Sequence, residues 1–173
     1  MIQPVWGAWE DSWIWSILLA AVTAAIHATG IVLIARLTVR VWDRQHTRKS
    51  RFWSSMAGSI AIIVTVTLAL ASLHGIESLL WAVAYLRLGA LSSPAGAALY
   101  SLDSMTTRGA SGLFLAPHWR MMGAVEAADG MLLFGISTAF LFTIMARLLT
   151  SKVTSHAFQS GQAHRERDES TEE

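Results

Sequence analysis

The chain contains no cysteine in its 173 residues. That absence excludes disulfide staples, thiolate metal sites, cysteine nucleophiles and cysteine-linked lipids together. Charge is also scarce: Asp, Glu, Lys and Arg make up 14% of the chain, against roughly a quarter in soluble domains. Hydrophobic residues make up 53% and mean hydropathy is +0.45, the balance of an integral membrane protein. Neither sign dominates, since 13 Lys+Arg face 12 Asp+Glu, and this excludes a nucleic-acid partner recognised through bulk basic charge. The length allows one domain or at most two, and no internal repeat is evident.

Long charge-free runs are what the chain has in quantity. Ser12 to Ala35 is 24 residues without a formal charge and Phe52 to Ile76 is 25, and about 20 helical residues cross the hydrocarbon. The first run lacks a basic leader and is too long for a secretory signal, so it reads as a retained span. A third run, Gly130 to Ala146, is 17 residues. It extends upstream through Met121 to Val125 if Glu126 and Asp129 sit at the membrane interface.

The charges between the runs set an orientation. Arg36, Arg40, Arg44, Arg48, Lys49 and Arg51 follow the first span against a lone Asp43, whereas residues 1–13 carry Glu10 and Asp11 and no base. Basic residues near span ends stay in the cytoplasm, so the N-terminus is expected outside and the C-terminus inside. Eight tryptophans fit that topology as interfacial belts: Trp6, Trp9, Trp13 and Trp15 outer, Trp42 and Trp53 inner, Trp81 and Trp119 outer again. The four arginines spaced every fourth residue read as an anchor for anionic lipid heads rather than a voltage sensor, because all but Arg36 lie beyond the apolar run. The expected organisation is an extracytoplasmic stretch 1–11, a first transmembrane helix 12–42, a basic cytoplasmic loop 43–53, a membrane domain 54–150 and a disordered cytoplasmic tail 151–173.

Residues 77–122 are too long for an ordinary connection between two spans. Leu79, Leu80, Val83 and Leu86 continue the second helix to about residue 88, and Gly89 can end it. Ser93 and Pro94 then form a helix start, N-cap followed by proline at the first helical position. The helix they open, 94–105, is apolar and rises only ~18 Å, too little for a ~30 Å core, so re-entry from the outer side is the expected geometry. The small, Gly-rich segment Thr106 to Gly112 follows. Non-helical backbone at membrane depth is tolerated only where protein buries it or water lines it.

The residues from Glu77 to Phe142 carry a resemblance. His74-Gly75-Ile76-Glu77, Trp81-Ala82, Tyr85, Leu88-Gly89-Ala90, Ala98-Leu99-Tyr100-Ser101, Thr106-Thr107, Pro117-His118-Trp119-Arg120, Glu126 and the stretch Gly130 to Phe142 follow one another in a characteristic order. This order and spacing resembles small bacterial potassium-channel-like proteins of the two-transmembrane pore-domain type with one extra N-terminal span. The resemblance implies an all-α integral membrane fold of three transmembrane helices plus a re-entrant pore helix and loop. In that frame 54–88 is the outer helix, 94–105 the pore helix, 106–112 the filter-like loop and 123–149 the inner helix. It implies a homotetramer in the bacterial inner membrane, monovalent ions as the transported species, no cofactor and no enzymatic activity. Gly135, with Ser137 and Ala139, is a gating hinge in that frame, with close packing of small residues as the equal alternative.

The departure falls at the filter. Potassium selectivity rests on stacked carbonyls of a TxGYG strand. Aligned on Thr107 and Gly109, this chain places Arg108, Ala110, Ser111 and Gly112 where the family has an apolar residue, an aromatic, a second glycine and an acid. Thr106, Thr107 and Gly109 keep the frame, and potassium selectivity is not carried over. Four guanidinium groups ~5 Å from an axial cation would each repel it by roughly 3 kcal/mol. The family geometry instead turns this side chain toward the pore helix, where Asp103 stands five residues earlier, and an Asp103–Arg108 pair is the preferred reading, with Glu126 as a second partner. His27 reads as a helix–helix hydrogen bonder rather than a proton relay. His74 and Glu77 alone are too few for a metal site, and no metal is expected. Met105, Met121 and Met122 read as packing. Two functions stay open: a pore with altered or lost potassium selectivity, and a non-conducting membrane subunit. No Ser/His/Asp order, metal cluster or phosphate loop supports a membrane enzyme.

Overall fold

A computed structural model describes residues 6–46, 56–109 and 112–171. It consists of α1 (Trp6–His46), α2 (Met56–Arg87), a short α3 (Pro94–Met105), a 3-10 turn (Pro117–Trp119) and α4 (Arg120–Thr171), with no strand among the described residues. Three segments are long and apolar enough to cross a membrane: Asp11–Val41, Ala57–Arg87 and Pro117–Leu148. Most of each span faces outward, as expected where lipid or a neighbouring chain, not water, is the solvent.

Helix α1 packs on α2 and α4 through a seam of small and polar residues. Ser12, Ser16, Thr23 and His27 are all buried, at intervals of 4, 7 and 4 residues that keep one face of a helix inward. Gly30 continues the seam one turn on; a methyl group there would come within 2.6 Å of Leu73 Cδ2. This is the packing logic of membrane interiors, where small residues let backbones approach and polar groups bond across helices.

Along α2 the interior has three levels. Ile62, Val66 and Leu70 form an apolar cluster with Leu148, joined by Ile34, Phe140 and Ile144. His74, Glu77 and Ser78 form a buried polar level. Trp81, Ala82 and Tyr85 then meet Tyr100, Met105, Leu115, Trp119 and Met122 in a second apolar cluster. Trp81 and Trp119 are therefore core residues, 0% and 8% exposed, and not belt residues at a lipid interface. The α3 helix and the segment that follows it, through Leu115, cover the faces that a belt would leave open. Trp13 and Trp15 are exposed on α1 as a belt requires.

Gly89, at φ +68, ends α2, and the Ala90 N–H closes the turn on the Tyr85 carbonyl at 2.8 Å. Ser93 then caps α3, its Oγ accepting from the Gly96 N–H at 3.2 Å, with Pro94 at the first helical position. The 12-residue α3 packs against both α2 and α4. Gly130 of α4 admits it closely, since a Cβ there would lie 2.8 Å from Met105 Cγ and collide with the Met105 backbone.

Helix α4 runs unbroken through Gly135, where a Cβ would meet nothing within 4 Å in the single chain. The helix also continues to Thr171, where the sequence suggests disorder. Low apolar content deprives that stretch of a core, but Ala, Gln, Glu, Lys and Arg favour helix without one.

Candidate functional site

Three groups of side chains are candidates for function. The first is the end of α3 and the filter-like loop. Thr107 has φ +56, its N–H bonds to the Ser104 carbonyl at 2.9 Å, and the Arg108 N–H bonds to the Asp103 carbonyl at 2.9 Å. This pair of bonds is a Schellman helix end with Thr107 in the left-handed position that glycine normally fills. The Gly109 N–H also turns back to the Asp103 carbonyl, at 3.3 Å. Arg108 Nε lies 3.4 Å from Asp103 Oδ1; the carboxylate is buried and the guanidinium is 65% exposed. The structure thus brings Asp103 and Arg108 together. Thr106 closes on its own helix, its hydroxyl donating to the Leu102 carbonyl at 2.6 Å, and Gly112 has φ +79. Ala110 and Ser111 lie outside the described residues.

Glu126 is committed elsewhere than expected. It is fully buried, where the sequence reading places it at an interface beside Arg108. The Tyr85 hydroxyl donates to its Oε2 at 2.6 Å, and Oε1 faces the Ser101 hydroxyl. Ser101 Oγ also lies 2.7 Å from the Ser78 carbonyl, which can only accept. Ser101 has one proton and two acceptor neighbours, the Ser78 carbonyl and Glu126 Oε1, between which it is shared. Asp129, likewise buried, accepts from Thr23 Oγ1 at 2.6 Å. Both acids sit inside the bundle because hydroxyls of α1, α2 and α3 meet them there.

The third group lies near the middle of the spans. His27 Nδ1 is 2.8 Å from Glu77 Oε1, and His74 Nδ1 is 3.3 Å from Glu77 Oε2. The Nε2 atoms of both imidazoles reach Ser137 Oγ, each at 3.1 Å. His74 also stacks on Phe134, ring centroids 4.0 Å apart. His27 is the helix–helix hydrogen bonder that its place in α1 suggests, tying α1 to α2 and α4 at once. Ser137, which the sequence offers only as a neighbour of the hinge, is the common partner of two histidines. The signal that finds it is weak: Glu126, Asp129 and Ser137 fall 3 and 8 residues apart on one face of α4. Their partners are as far as 110 residues away in sequence.

Comparison of the chain with protein-family models, with curated proteins and with solved structures finds no match, and the functional reading rests on the residues themselves.

Proposed function

We propose that the protein is a subunit of a potassium-channel-like membrane pore in the bacterial inner membrane, a homotetramer with its N-terminus outside and its C-terminus cytoplasmic. The single observation that carries this reading is α3, a capped 12-residue helix that packs between two spans and ends in a non-helical loop. Its ~18 Å length does not cross a bilayer, and one re-entrant segment per chain lines a pore only where several chains share an axis. Leu99 and Leu102 on α3 and Phe114 after the loop are exposed, as surfaces that meet a neighbouring subunit would be in the isolated chain.

Selectivity differs from that of a potassium filter in this reading. Arg108 and Gly109 bond back onto α3, and Arg108 stands where a ladder of carbonyls has no charge. Gly135, with no close neighbour, is the hinge candidate on the inner helix. A second reading, a non-conducting structural or regulatory subunit, is favoured by the Asp103–Arg108 contact, which ties the loop to its own helix. Flux through liposomes holding the purified protein, measured in potassium, sodium and chloride gradients, separates the two. A current in any of them supports the pore, and silence in all three supports the non-conducting subunit.

A further inference from the structure

His27, His74 and Glu77 come from two helices and offer three ligand atoms, all buried and all within 4.8 Å of one another. Two atoms of this group are poorly served by the protein. His74 Nδ1 and Glu77 Oε2 are buried without a hydrogen-bond partner among the described residues, although they face each other at 3.3 Å, close enough for attraction but out of line for a hydrogen bond. Buried polar atoms left this way are costly. A cation held between them removes the deficit.

We propose that His27, His74 and Glu77 bind a divalent transition-metal ion of the zinc class inside the helix bundle. Two imidazoles and one carboxylate are the protein ligands of known three-ligand zinc sites, which leave the fourth position open. Glu77 Oε1 lies 2.8 Å from His27 Nδ1, and its other oxygen, Oε2, lies 3.3 Å from His74 Nδ1, so small side-chain rotations bring the three residues onto one ion at ligand bonds of ~2.0–2.1 Å. Nδ1 ligation requires the proton of each ring on Nε2, and both Nε2 atoms already meet Ser137 Oγ, whose two lone pairs can accept both. Such an outer partner fixes tautomer and ring orientation at metal sites. The inference is independent of the pore reading, since the cluster lies away from the loop and binding is read without any flux.

Metal content of the full-length protein tests it. The protein, freed of any affinity tag, is equilibrated with Zn2+ in detergent, passed into metal-free buffer and analysed by mass spectrometry, and Co2+ is titrated in parallel. The expected result is about one zinc per chain retained, with cobalt giving the intense visible bands of a four-coordinate ion. Glu77→Gln and His74→Asn lose both signals, Ser137→Ala weakens zinc binding about 10- to 100-fold, and His118→Ala, a surface control, changes nothing. Folded wild-type protein that retains no more zinc than Glu77→Gln overturns the proposal. Should the variants not fold, the wild-type cobalt spectrum decides alone, and absence of four-coordinate bands overturns it.

Discussion

Ser101 has a single hydroxyl proton between the Ser78 carbonyl and Glu126, and this imbalance makes the state of one buried acid testable. If Glu126 is a neutral carboxyl, Glu126→Gln keeps a donor toward Ser101 and an acceptor for Tyr85, and thermal stability in detergent is expected to stay near wild type. Glu126→Ala removes both functions, opens a void beside Tyr85 and Ser101, and is expected to cost about 2–5 kcal/mol. Equal loss in the two variants would show that Glu126 is needed as a carboxylate. The pair at the loop is less symmetric than the sequence suggests, because the Asp103 carboxylate is buried and the Arg108 guanidinium is mostly exposed. Arg108→Val leaves the buried charge behind and should be the costlier single change, while the coupling energy in a cycle with Asp103→Leu stays near 1 kcal/mol. Additive effects on melting would refute the pairing. Residues of this kind are half legible in sequence: Asp103 and Arg108 are five apart and read as a pair, whereas His27 and Ser137 meet only through tertiary packing.

At the scale of elements, α3 carries the clearest agreement between sequence and structure. Its start at Pro94 and end at Met105 follow from local chemistry, a serine cap, a proline with no N–H to lose, and a small-residue stretch that cannot continue the helix. Its end also contains an identifiable strain. Thr107 sits at φ +56, a conformation that costs a β-branched residue about 1–2 kcal/mol. Thr107→Gly is therefore expected to raise the melting temperature, by about 0.5–1 kcal/mol of stability; a drop would mean that the threonine side chain holds the loop. Gly130→Val on α4 should act in the opposite direction and dislodge α3, because its Cβ has no room beside the Met105 backbone. Rules based on lipid exposure failed where protein covers the span. Trp81, Trp119, Glu126 and Asp129 look interfacial by composition, yet α3 and α1 pack over them and turn interface residues into core.

For the whole molecule, the exposed loop sets the problem that the proposed assembly would solve. Residues Thr106 to Gly109 are non-helical and exposed in the single chain, and such backbone is not tolerated against hydrocarbon. At membrane depth they must be covered by another chain or face water on a shared axis. The absence of cysteine makes this directly measurable, since one introduced thiol is the sole crosslinking site. Leu102→Cys, placed on the exposed face of α3, treated with a short bismaleimide in native membranes, is expected to join neighbouring chains. Orientation is checked with a periplasm-active reporter fused after Leu149, which should stay silent. Intact oligomers released gently from those membranes should have the mass of four chains. A Leu102→Cys protein that remains monomeric under bismaleimide while its thiol still reacts with a monofunctional maleimide would leave the loop uncovered by any neighbour, and the shared-axis pore could not stand.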